Sequence, residues 1–330
     1  MLEKLLDKQL IFVTGKGGVG KSSVAASLGK SLANAGKKTL VVETDAFSVM
    51  QELLEVESQG SEIVPVDDNL WSANLEATDC FVLALQRFVP SERISRAIVD
   101  NKVARVFFKA APSVNEFAIL DRIFVLLQQV ERGEAEYDHI VVDLPASGHA
   151  VTFLNVPRTL AGMIKVGPIA KRTGEMADVI EDPDKTGVVA VCLPEEMPVR
   201  ETIELSQKIE DALGRGLTTV LVNMVHRSPV DESRREALQK AIAKIHETGG
   251  PAPSHYGDYD EPISRILAGN ELALGWHDRD RKYIQILEEE ISAPVLELPM
   301  VYATEGREIV VELAERLGRP ETTVSETLAS

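Results

Sequence analysis

Short runs of aliphatic and β-branched residues recur along the chain, separated by stretches whose apolar positions fall three and four apart. Gln9–Thr14, Thr39–Glu43, Leu70–Leu75, His139–Leu144, Gly187–Leu193, Thr218–Val225 and Pro294–Leu298 have strand length. Several of them are apolar without alternation, which suits parallel strands covered on both faces. Helical stretches between them suit right-handed crossovers. The pattern predicts an α/β fold with a doubly wound, mostly parallel sheet of about seven strands. Two stretches interrupt it. Between 77 and 132, Phe81, Leu85 and Phe88, and then Phe117, Leu120, Phe124 and Leu127, keep helical spacing and predict an insertion of three or four helices. A shorter insertion follows at about 155–186, where Gly162, Gly167 and Gly174 suggest mobile helix ends. The segment Gly249–Pro262 reads as a loop. The expectation is a single domain over 1–320 and a disordered tail at 321–330.

Composition narrows the class. Of 330 residues, 44% are hydrophobic and 26% charged, enough apolar material for a large core. No apolar run approaches the roughly 20 residues of a spanning helix, and the opening MLEKLLDKQL has no signal-like apolar stretch, so a cytoplasmic protein is expected. The net charge of −17 repels a phosphate backbone and argues against nucleic-acid binding by charge alone. Cys80 and Cys192 are far apart and form no CxxC pair, so they read as two core thiols.

The sharpest chemical signal is Gly15-Lys16-Gly17-Gly18-Val19-Gly20-Lys21-Ser22, followed by Ser23. This GxxxxGK[ST] pattern lies between a predicted strand and a predicted helix, the setting of a phosphate-binding loop. Glycines let the backbone wrap phosphates with its N–H groups turned inward, and the helix N-terminus adds its dipole. Lys21 then reaches the β- and γ-phosphates, and the Ser22 hydroxyl is a magnesium ligand. ATP and Mg2+ are the expected ligands. Two acids close predicted strands, where open α/β sheets bind ligands: Asp45 in Thr44-Asp45-Ala46-Phe47-Ser48, and Asp143 in Val142-Asp143-Leu144-Pro145. Asp143 is placed to hold magnesium through water, and Asp45 to orient or deprotonate the attacking water.

Lys16, directly after the first glycine, makes the loop resemble the deviant Walker A of the SIMIBI-class ATPases. With Thr44–Ser48, Asp143–His149, Asn223 after a later strand, Pro112…Glu116 and Arg200-Glu201-Thr202, the chain resembles the ArsA and GET-pathway ATPase family over roughly residues 9–318. The resemblance implies the P-loop NTPase fold and ATP hydrolysis. It implies that Lys16 crosses to a second subunit's nucleotide, in a homodimer or a heterodimer with a paralogue. It also implies that Asn223 reads adenine. Asp45, Lys16 and Lys21 are then the catalytic set. Departures are equally visible. The first switch lacks the family's proline and has Phe47 in place of histidine, and the second has its proline one place over. The zinc CxxC, the metalloid cysteines and the methionine-rich insertion are missing.

Three functions are compatible with these residues. One is a dimeric switch that couples ATP hydrolysis to capture of a partner or cargo. Another is an ATP-binding adaptor with weak hydrolysis. The last is the catalytic subunit of an anion or metalloid exporter, which needs soft ligands. Within the first insertion, Arg93, Arg96, Lys102, Arg105 and Lys109 interleave with Ile94, Ile98, Val103, Val106 and Phe107. Such a basic amphipathic stretch suits an acidic protein cargo or a membrane-associated effector.

Overall fold

The computed structural model describes residues 3–44, 48–57, 60–87, 89, 91–102, 113–247 and 262–319. The loop expected at Gly249–Pro262 lies outside them except for Pro262, and so does the tail. In chain order the strands are β1 (Leu10–Gly15), β2 (Thr39–Glu43), β3 (Val64–Asp67), β4 (Leu70–Asn74), β5 (Val130–Glu131), β6 (Glu134–Ala135), β7 (His139–Asp143), β8 (Thr186–Cys192), β9 (Thr219–Val225) and β10 (Val295–Pro299). The helices are α1 (Glu3–Leu6), α2 (Lys21–Asn34), α3 (Met50–Leu54), α4 (Ala77–Gln86), α5 (Glu92–Val99) and α6 (Val114–Leu127). They continue with α7 (Ser147–Met163), α8 (Pro168–Glu181), α9 (Glu196–Leu213), α10 (Glu232–Glu247), α11 (Pro262–Glu290) and α12 (Gly306–Gly318).

Eight strands form one sheet in the order β10-β9-β8-β1-β7-β2-β4-β3. All neighbours run parallel except the β3–β4 pair. The seven expected strands are all present, each within one residue of its expected bounds. Sequence reading did not anticipate β3, whose Pro65 argues against a strand. An antiparallel edge tolerates proline because its missing N–H is not needed there, and Pro65 is exposed. The small β5–β6 hairpin, which begins inside the stretch expected to lack strands, was also unanticipated.

The apolar runs are explained by the two faces they serve. Along β1, Leu10 and Phe12 join the core under α6, α7 and α9, while Ile11 and Val13 join the core under α2 and α12. Successive side chains point to opposite faces, and both faces are covered. Phe12 meets Phe153 of α7 edge-on, with ring centres 6.4 Å apart.

Both stretches read as insertions carry helices, at bounds that differ from those expected. The first contains α4, α5 and α6, with residues 103–112 outside the described set. The second has no boundary at Asn155, because α7 runs without a break from Ser147 to Met163 and carries Pro157 inside it. Gly167 precedes α8, and Gly174 lies within it. The insertions are tied together by Asp121 of α6. Its buried carboxylate accepts from Arg87 of α4 and, at 2.9 Å, from Arg172 of α8. The Arg172 guanidinium also stacks 4.5 Å above the Phe124 ring. Among the described residues, no helix is long and apolar enough to cross a membrane.

His139 at the start of β7 is buried, with Nδ1 2.6 Å from the Lys8 carbonyl oxygen. Its Nε2 has no hydrogen-bond partner among the described residues, and burial holds its pKa below the ordinary value of 6.5. The unfolded chain therefore binds this proton more readily than the folded one. The stability contributed by neutral His139 is complete above about pH 6.5 and is lost as pH falls below it. Unfolding free energies from urea titrations between pH 7.5 and 5.5 should fall by up to about 1.4 kcal/mol per pH unit more steeply in the wild type than in His139→Gln. Parallel pH profiles would show that His139 is not the group responsible.

Candidate functional site

The chain leaves β1 at Gly15 and enters α2 at Lys21, with a left-handed Gly20 (φ 83°) at the junction. Two of the loop's glycines are dictated by close packing. A Cβ on Gly15 would lie 2.3 Å from the Val191 carbonyl oxygen of β8, and one on Gly20 would lie 2.5 Å from Asn223 Nδ2. Gly18 is fixed by its backbone instead, with φ 86° and open space where a side chain would stand. Gly17 and Gly18 are exposed, while the Val19 side chain is buried in the core beneath α2. The loop is thus anchored at both ends and open in the middle, the shape a phosphate cradle requires.

The predicted site residues converge here in large part. Ser22 Oγ donates to Asp143 Oδ2 at 2.5 Å, so the two expected magnesium ligands meet although 121 positions apart. A hydroxyl and a carboxylate are hard oxygen donors, the set that magnesium takes. Lys21 Nζ lies 3.5 Å from the Lys16 carbonyl, folded back over its own loop. The Ser23 carbonyl accepts from Ser27 inside α2. Asn223 is buried at the end of β9, with Nδ2 donating to the Val19 carbonyl at 3.0 Å. Met224 beside it, still within β9, has φ 58°, a left-handed conformation where the register against β10 shifts.

Asp45, Ala46 and Phe47 lie outside the described residues, but both flanks are held. Thr44 Oγ1 donates to the Asp143 carbonyl at 3.0 Å. Glu43, buried at the end of β2, accepts from Ser48 Oγ at 2.6 Å and from the Val49 amide at 2.9 Å. Sequence reading missed Glu43, although the signal was there: a carboxylate closing an otherwise apolar strand, as Asp143 does. It also gave Glu201 no role. Glu201 Oε1 forms an ion pair with Lys16 Nζ at 2.7 Å. A further buried acid, Asp280 of α11, accepts from the amide and Nδ1 of His226 at 2.8 Å each and fastens the turn after β9.

On the far side of the switch segments lies a cavity of about 470 Å³ lined by Thr44, Pro145, Leu75, Glu116 and Phe153. It places the ends of both switch segments against the first helical insertion. In that insertion α5 departs from expectation. Ile94 and Ile98 are solvent-exposed while Ser95 and Val99 are buried, and Arg96 is engaged by Asp79 and Glu92. Met163, Val166 and Ile169 are exposed where α7 turns into α8. Both cysteines are buried, and desolvation pushes the Cys80 thiol up to about 12 and the Cys192 thiol up to about 11. They are inert core residues.

Comparison with known proteins agrees with this geometry. The family described as anion-transporting ATPase matches residues 8–177 and 165–254. The chain is similar to the ATPase BagA of Mycobacterium tuberculosis, 28% identical over 96% of this chain and 94% of the relative. It is similar to the ATPase GET3 of Lachancea thermotolerans, 24% identical over 89% of this chain and 93% of the relative. It is also similar to the arsenical pump-driving ATPase of Escherichia coli, 27% identical over 70% of this chain but only 42% of that longer protein. A loop built to hold phosphates at the end of β1, in a chain matched over most of its length, is accounted for by common descent: the protein belongs to the anion-transporting ATPase (ArsA) family.

Proposed function

We propose that this protein is an ATP-hydrolysing switch that works as a dimer and couples its nucleotide state to the capture and release of a partner. The observation that carries the reading is the meeting of Ser22 and Asp143 at the open mouth of the glycine loop. That contact supports a magnesium-nucleotide site at the C-terminal ends of β1 and β7, where the strand order reverses. In this reading Gly15, Gly17, Gly18, Val19 and Gly20 supply the phosphate cradle, with Lys21, Ser22 and Ser23 at the start of α2. Bound magnesium would neutralise charge on the β- and γ-phosphate oxygens. Asp45 holds the attacking water in line with the γ-phosphorus, between Thr44, which bonds the Asp143 carbonyl, and Ser48, which bonds Glu43. Asn223 bonds the loop through Nδ2, and its Oδ1 is an acceptor that complements the exocyclic amine of adenine. Lys16 acts on the nucleotide of the second subunit.

The partner surface is assigned to the helical layer. Ile94 and Ile98 of α5, with Met163, Val166 and Ile169 at the α7–α8 turn, expose apolar side chains on insertions joined through Asp121. The cavity beside Thr44 and Pro145 lies between that layer and the switches. A change at the γ-phosphate would therefore be transmitted by packing. The chain spans less than half the length of the Escherichia coli relative, and a role in arsenite or anion export has no support from soft ligands here.

Phosphate release from Mg-ATP should rise in specific activity with protein concentration, and Lys16→Ala should remove that rise. Tight ATP binding without turnover would assign an adaptor instead. Lys21→Ala should abolish turnover. Asp45→Asn should leave ATP binding intact and slow hydrolysis by about 10²- to 10⁴-fold, as expected for losing a positioned base, and normal turnover would remove Asp45 from the mechanism. For the surface, Ile98→Glu combined with Met163→Glu should weaken binding of a leucine-rich model helix about tenfold by fluorescence anisotropy. Unchanged anisotropy, with ATP binding preserved, would move the partner surface elsewhere.

A further inference from the structure

The two lysines of the phosphate loop are held in different ways. Lys21 folds back onto the loop's own carbonyl, whereas Lys16 reaches away to α9 and pairs with Glu201 at 2.7 Å. Both ends of this pair are built on fixed backbone. Lys16 follows Gly15, which is wedged against the Val191 carbonyl. Glu201 lies between half-exposed turns of α9 beside Thr202, which is buried and bonded to the Pro198 carbonyl at 2.8 Å. The neighbouring Arg200 is engaged elsewhere, with Glu196 at 3.1 Å. The Lys16 and Glu201 side chains are 36% and 34% exposed, so water and competing anions can reach the contact.

From this geometry we infer that Glu201 is a positioning residue for Lys16: it holds the lysine within its own subunit until the phosphates of a second copy of this chain displace the carboxylate. The inference rests on the dimer reading proposed above. One carboxylate cannot match a polyphosphate as a partner for an ammonium group, so the pair is stable in the lone subunit and exchangeable in the dimer. A half-exposed ion pair contributes a factor of about 1.4 to 5. A symmetric dimer must open two such pairs, so the factor enters the association constant squared, about 2 to 25. In a chain with net charge −17, Glu201 would thus set the concentration at which two acidic subunits can share a site.

The test is sedimentation equilibrium of the full chain with magnesium and a non-hydrolysable ATP analogue. The proteins are wild type, Glu201→Gln, Lys16→Ala and the double variant. Glutamine keeps the shape of the side chain and removes its charge. Glu201→Gln should move the monomer–dimer midpoint to a concentration about 2- to 25-fold lower, and the same substitution in the Lys16→Ala background should move it by much less. An unmoved midpoint, or one displaced upward, overturns the inference while leaving the dimer intact. An equal shift in the Lys16→Ala background also overturns it, because Glu201 would then act through general repulsion and not through the lysine. A wild-type chain that stays monomeric with the analogue overturns the dimer reading itself and this inference with it.

Discussion

Strand β1 lies between β7 and β8 with Val13 opposite Asp143 and Gly15 opposite Val191, and this register sets both the core and the site. A parallel strand displaced by one residue turns every side chain to the other face. Here such a slip would exchange Leu10 and Phe12 with Ile11 and Val13, which belong to cores of different shape on the two sides of the sheet. It would also carry α2 away from Asp143 and separate the hydroxyl and carboxylate that meet at the loop. Packing thus defends the chemistry against a one-residue slip, which would lose the core and the site together. The close approach of Gly15 to the Val191 carbonyl adds a steric check at the same place.

Among the described residues of this strongly acidic protein four acids are buried, and each accepts at least one hydrogen bond: Glu43, Asp121, Asp143 and Asp280. A carboxylate withdrawn from water must be repaid in hydrogen bonds, so it orders whatever supplies them. Glu43 orders the return of the first switch segment, and Asp280 orders the turn after β9. Asp121 joins α6 to α8 and to the end of α4. The apolar core supplies stability, and the buried acids fasten the segments that bond to them.

The strands and the phosphate loop were legible in the sequence because their signals are local. Apolar runs of strand length and a glycine pattern at fixed spacing need no knowledge of distant residues. The two residues that meet at the loop could be singled out for a related reason, since Ser22 belongs to the motif and Asp143 closes a strand. What escaped was carried by contacts between distant positions. Glu201 meets Lys16 across 185 residues, and Arg172 meets Asp121 across 51. No spacing rule links such partners. The exposure of Ile94 and Ile98 ran against the amphipathic pattern, because α5 packs through Ser95 and Val99 instead. Pro65 hid β3, since a residue that forbids a central strand is permitted at an edge.

The contact between Gly20 and Asn223 has a bearing on how such a chain can change. Asn223 Nδ2 occupies the space that a side chain at position 20 would need, and it bonds the carbonyl of Val19 one residue earlier. The two positions come from segments about 200 residues apart, yet neither can vary alone. A side chain at 20 would meet Asn223 Nδ2 and also sit on a left-handed backbone, and a smaller residue at 223 strips a hydrogen bond from the loop. In the reading proposed above, the part of the site that would select a base and the part that would hold phosphates are packed as one unit, so a change in either disturbs both.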